Sequence, residues 1–106
     1  MNTDPLESSI SRSIQRAIMS QFPGALVRKR HGTQMGVAGD PDLFGCLPGG
    51  QHFEIEVKRP GHQPTDLQTA RLEQWKKAGA IVGVAHDAKE ALAILNEERN
   101  ESRAGS

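Results

Sequence analysis

Residues 80–85, Ala-Ile-Val-Gly-Val-Ala, contain no polar side chain and no alternation. A short apolar run of this kind reads as a strand covered on both faces, and such a strand is most easily a parallel one reached through a helical crossover. That requirement implies a sheet with helices packed on it. The crossover helix is expected over residues 65–79, opened by Thr65 and closed by Gly79, with Leu67, Ala70, Arg71 and Trp75 along one side. The strand before it spans residues 52–58, where Phe53, Ile55 and Val57 alternate with Glu54, Glu56 and Lys58. Strand side chains alternate with period two, so one face of this strand is apolar and the other ionic.

Upstream, residues 42–47 form a second strand, joined to the third through Pro48-Gly49-Gly50-Gln51 as a hairpin. Residues 25–30 form a first strand, followed by a loop over 31–39 that contains Gly32, Gly36 and Gly39. The first helix is expected to start with Asp4 as N-cap, Pro5 at the first helical position and Glu7 in a capping box. Its apolar face is Ile10, Ile14, Ala17 and Ile18, and Phe22-Pro23-Gly24 ends it. Asp87 caps a last helix that turns Ala91, Leu92 and Leu95 inward. The order is helix, three strands, helix, strand, helix: an α/β fold with a small mixed sheet flanked by helices. One domain is expected over residues 1–97, with 98–106 as a disordered tail.

With 106 residues, 36% of them hydrophobic, the chain has material for one modest core, and added burial in a homodimer would help it. The longest stretch without charged or polar side chains, residues 78–85, is far below the ~20 residues of a membrane helix. No basic segment followed by an apolar one opens the sequence, so a soluble, unexported, cytoplasmic protein is expected. The single Cys46 excludes an internal disulfide and a cysteine-based zinc cage. Thirteen basic and thirteen acidic residues cancel overall, yet residues 1–86 hold ten bases against eight acids. A mildly cationic body permits a polyanionic partner. Arg28-Lys29-Arg30 reads as a solvated strand face or as phosphate contacts, the latter with His31 nearby.

The ionic strand face carries the chemistry. By itself it describes a solvated edge strand, but Gly39-Asp40-Pro41-Asp42 puts an acid at the opening of the partner strand. Paired strands lie roughly 4.8 Å apart, which lets Asp42 approach Glu56 and share a cation. Asp40 competes for that role, although its place before Pro41 suits a turn better. Two close carboxylates repel unless a cation or a proton relieves them, and Lys58 adds a positive donor beside them. This is the layout of a metal-dependent phosphodiesterase. Mg²⁺ would sit between Asp42, Glu56 and a phosphate oxygen, with the Val57 backbone carbonyl as a further ligand, while Lys58 would orient or deprotonate water or stabilise developing charge. The four histidines show no metal-ligand spacing, and Trp75 reads as an anchor of its helix on the sheet.

Gly39-x-Pro41-Asp42, then Glu56-Val57-Lys58-Arg59-Pro60, then Gln68, Trp75 and Gly79, resembles the VRR-NUC branch of the PD-(D/E)XK nucleases across roughly residues 10–95. The resemblance implies a restriction-endonuclease-like αβββαβ core and DNA phosphodiester hydrolysis with Mg²⁺ or Mn²⁺. It implies catalytic roles for Asp42, Glu56, Lys58 and Gln68, with the metal on Asp42 and Glu56. Bare-domain members resemble junction-cleaving homodimers, so branched DNA such as a four-way junction is the expected substrate, with Arg28, Arg30, His31 and Arg59 as expected DNA contacts. Two positions carry a second reading. Gln68 also stands at capping-box spacing from Thr65. The family has a first-helix Glu ahead of an Ile-Gln pair, whereas Ile14-Gln15 here is preceded at the matching place by Ser11, with Glu7 one turn earlier. The rival reading is a non-catalytic nucleic-acid-binding module with the same fold.

Overall fold

The computed structural model describes residues 6–31 and 36–104, and the side chains of all of these except 99–104. Three helices and four strands follow in the order α1 (Glu7–Gln21), β1 (Leu26–Lys29), β2 (Leu43–Cys46), β3 (His52–Val57), α2 (Asp66–Lys77), β4 (Ile81–Ala85) and α3 (Ala88–Ala104). The sheet order is β1-β2-β3-β4. The first three strands form an antiparallel meander, and β4 joins β3 in parallel after the α2 crossover. The mixed α/β architecture expected from the sequence is the one observed. No helix among the described residues is long and apolar enough to cross a membrane.

Burial divides the sheet into two unlike faces. The apolar core joins Ile10, Ile14, Ile18 and Phe22 at α1 to Val27, Leu43, Phe53, Ile55, Val57, Ile81 and Ala85 of the strands and Ala91 and Leu95 of α3. No residue of α2 belongs to it. The crossover helix instead covers the opposite face, where it buries Leu72 and half-buries Gln68, Arg71 and Trp75. The expected inward stripe is therefore corrected: Leu67 is 45% exposed and Ala70 is exposed, because the surface under α2 is ionic.

Three further differences have local causes. Strand β4 lies at the sheet edge, so only Ile81 and Ala85 are fully buried and Val82, Gly83 and Val84 are half-covered. Helix α1 has Leu6 as its N-cap, without a side-chain hydrogen bond, so Glu7 is its first residue and not a capping-box partner. Asp4 and Pro5 lie outside the described residues, as does Gly32. Helix α3 continues past Glu98 to Ala104, through a segment of mostly good helix formers. Asp87 does cap it, since its Oδ1 accepts from the Glu90 N–H at 2.8 Å.

The β2–β3 turn carries two consecutive left-handed glycines, Gly49 at φ 100° and Gly50 at φ 95°, and closes with the Leu47 N–H donating to the Gln51 carbonyl at 2.8 Å. Its register sets Leu43 opposite Ile55 and Phe44 opposite Glu54. Continued by one residue, the same register sets Asp42 opposite Glu56.

Candidate active site

The strand β3 that carries the acids is interior, paired on both sides, and its ionic face is dry: Glu54 is 0% and Glu56 1% exposed. A solvated edge strand is thereby excluded. Asp42 is half-buried just ahead of β2, beside the Glu56 carboxyl, whose hold on its proton it strengthens. Its Oδ2 also accepts from the Val57 N–H at 2.8 Å. Glu56 Oε2 is buried with no hydrogen-bond partner. Burial foremost, then the hydrogen bond and charge of Asp42, pushes the Glu56 carboxyl up to about 9, against a smaller downward pull from the Lys58 ammonium. Glu56 therefore keeps its proton at neutral pH. Lys58, half-buried beyond the end of β3, is anchored by its backbone N–H on the Ala85 carbonyl at 3.1 Å.

The start of α1 reaches the same place. A small cavity of about 60 Å³ is lined by Glu7, Ser11, Lys29, Asp42 and Val57. Glu7 adds to the upward push on Glu56, so its charge is felt at the pair. Ser11 is 2% exposed and accepts from Gln15 Nε2 at 3.2 Å. Both first-helix candidates thus border the carboxylates. Lys29 also lines this cavity; sequence reasoning placed it only on a strand face, and the period-two offset from its neighbours Arg28 and Arg30 was the available signal.

Gln68 occupies the third position of α2, where its Oε1 accepts from the Thr65 N–H at 2.9 Å while Thr65 Oγ1 accepts from the Gln68 N–H at 3.1 Å. The capping box is formed. The expected DNA contacts separate into two groups. Arg28 and His31 are exposed and Arg59 is half-buried; His31 borders a cavity of about 270 Å³ with Arg30, Asp40 and Asp42. Arg30 turns inward, because buried Glu54 requires a countercharge. Its guanidinium makes a forked pair with Glu54, at 2.5 and 3.1 Å, and lies 4.3 Å over the Phe44 ring. His52 Nε2 meets the same carboxylate at 2.5 Å. Neither Glu54 nor His52 was singled out from sequence, although a strictly alternating Glu54-x-Glu56 on a central strand demands a partner for each acid.

Asp40 is held by Trp75, whose indole N–H donates to its Oδ1 at 3.2 Å, and lies 4.0 Å from Arg30. Its carboxylate thus ties the turn to α2. Gly39, at φ 83°, allows this: a Cβ there would come within 2.7 Å of Leu67 Cγ. Among the described residues no group of three or more His, Cys, Asp or Glu side chains is arranged to hold a metal ion. The donors that meet are two carboxylates, one with a free buried oxygen.

Fold and site together define a small α/β domain organised around a paired-carboxylate centre where two neighbouring strands meet. A solved structure described as a VRR_NUC domain matches it at a TM-score of 0.64 and 31% sequence identity, over 82% of this chain and 94% of that one. The chain belongs to the VRR_NUC domain family. No family model and no curated protein matches it.

Proposed function

We propose that this chain is a metal-dependent DNA endonuclease of the PD-(D/E)XK kind that hydrolyses phosphodiester bonds with Mg²⁺ or Mn²⁺. The observation that carries the reading is the Asp42–Glu56 contact with its orphaned, buried Glu56 Oε2. An acid pair with a buried oxygen lacking a partner fits a hard cation, which prefers oxygen ligands and would replace the proton on Glu56. Asp42 and Glu56 would hold it, with the Val57 carbonyl as a further donor. A divalent ion there supplies Lewis acidity toward a phosphate oxygen. Lys58 orients or deprotonates the attacking water, or stabilises charge on the phosphorus oxygens. Gln68 completes the site from the start of α2, and Glu7 and Ser11 border it from α1. Arg28, His31 and Arg59 are the proposed phosphate contacts, whereas Arg30 is committed to Glu54.

Branched DNA such as a four-way junction is the proposed substrate and a homodimer the proposed assembly, because two symmetric nicks need two sites related by a two-fold axis. Purified protein incubated with four-way, flapped and linear DNA, with Mg²⁺, Mn²⁺ or EDTA, tests this. Paired nicks in the four-way substrate with either metal and none in EDTA are expected. Equal cutting of linear DNA removes junction selectivity. Metal-independent binding without cleavage supports the rival reading, a non-catalytic module, which Ser11 in place of the family's first-helix Glu favours.

A further inference from the structure

We infer that Arg30 and Glu54 are positioning residues for Asp42: a brace of His52, Glu54 and Arg30 sets the peptide geometry that aims the Asp42 carboxylate. The inference rests on the reading of Asp42 as a metal ligand. Arg30 grips the main chain on both sides of Asp42. Its guanidinium donates to the Pro41 carbonyl at 2.8 Å, and its backbone N–H donates to the Asp42 carbonyl at 2.7 Å. These two carbonyls flank the Asp42 Cα, so fixing both leaves the side chain little freedom in direction. The far end of that side chain then meets the Val57 N–H and Glu56.

The grip is itself held. Glu54, with no exposed surface, engages the guanidinium through both oxygens, and His52 Nε2 meets its Oε2 as well. A planar fork clamped by a carboxylate and resting on Phe44 has one orientation, in which a nitrogen faces Pro41. A buried ion pair has weak warrant as a stabilising device, since apolar packing often does as well. Its cost is understandable where the pair orients a ligand, as partners behind metal ligands do.

Two adjacent amides make the test. The Val57 N–H donates to the Asp42 side chain, while the Lys58 N–H donates to Ala85 of β4. In Arg30→Lys, which keeps the charge and loses the fork, amide hydrogen exchange is expected to speed up by about tenfold or more at Val57 and to stay unchanged at Lys58. Glu54→Gln should reproduce this and serves if Arg30→Lys does not fold. Leu95→Ala, a core change on α3, should affect both amides alike. Mn²⁺ affinity, by electron paramagnetic resonance, should fall about 10–100-fold in Arg30→Lys and not in Leu95→Ala. Parallel or unchanged exchange of Val57 and Lys58 overturns the inference, as does equal Mn²⁺ affinity of wild type and Arg30→Lys. Wild type that binds no Mn²⁺ while Val57 alone loosens refutes the metal-dependent reading and leaves the positioning role standing.

Discussion

Glu54 and Glu56 stand two residues apart on one strand, on one face, at equal burial, and their circumstances are opposite. Glu54 has both oxygens engaged, by Arg30 and His52. Glu56 touches another acid and keeps one buried oxygen without a partner. Desolvation is the same problem for both, so the contrast lies in what the neighbours supply. The saturated acid is tied into the fold by its partners; the unsatisfied one is the acid on which the proposed site rests.

The sharpest way to break this contrast is through turnover. Lys58→Ala is expected to slow cleavage on the order of 100-fold or more, and Asp42→Asn or Glu56→Gln to eliminate it, with circular dichroism unchanged in all three. Single-turnover cleavage of a four-way junction measures this, and activity of Lys58→Ala within about threefold of wild type would remove that residue from the mechanism. The reverse effect belongs to the saturated acid. Arg30→Ala leaves a buried carboxylate with His52 as its remaining partner and should cost about 3–5 kcal/mol in denaturant unfolding. Glu54→Ala should cost less, because Arg30 is 26% exposed and can turn toward water.

A third expectation concerns pH. Glu56 titrates near 9 when folded and near 4.5 in its ordinary state, so in EDTA its contribution to stability is full below about pH 4.5 and is lost as pH rises toward 9. The melting temperature of the metal-free domain should therefore fall across that window, and Glu56→Gln should flatten the profile. Unaltered slopes in wild type and variant would place the proton elsewhere. The smallest effect lies far from the acids. His86 is raised above 6.5 by its contact with Glu90, and then by the His62 carbonyl, so its stabilisation is present below pH 6.5 and fades as pH rises. His86→Gln should narrow its gap in melting temperature from wild type between pH 5.5 and pH 8.5.

Periodicity located the elements, the hairpin and the parallel crossover, because apolar spacing and turn residues are local signals. Strand pairing then follows almost by necessity, including the place of Asp42 opposite Glu56. Period two tells which side chains share a face but not what covers that face. Hence the alternation asks for a partner to Glu54 without saying that Arg30 turns inward to be it, since that depends on α2 closing over the ionic side. Leu72 is hidden from the sequence for the same reason: the apolar positions of α2 suggest an apolar surface beneath it, and the helix packs on a polar one. The start of α1 at Glu7 shows that cap chemistry in sequence does not oblige the chain to use it.

The indole bond to Asp40 has an optical consequence. Trp75 is the sole tryptophan and the chain has no tyrosine, so its near-ultraviolet emission comes from one ring. That ring lies 5.2 Å from His52 and is hydrogen-bonded two residues before Asp42. The intrinsic fluorescence of the unlabelled protein thus originates beside Asp40, Arg30 and His52, and a quenching or colour change on adding an ion or DNA would report on that neighbourhood with no background from elsewhere in the fold.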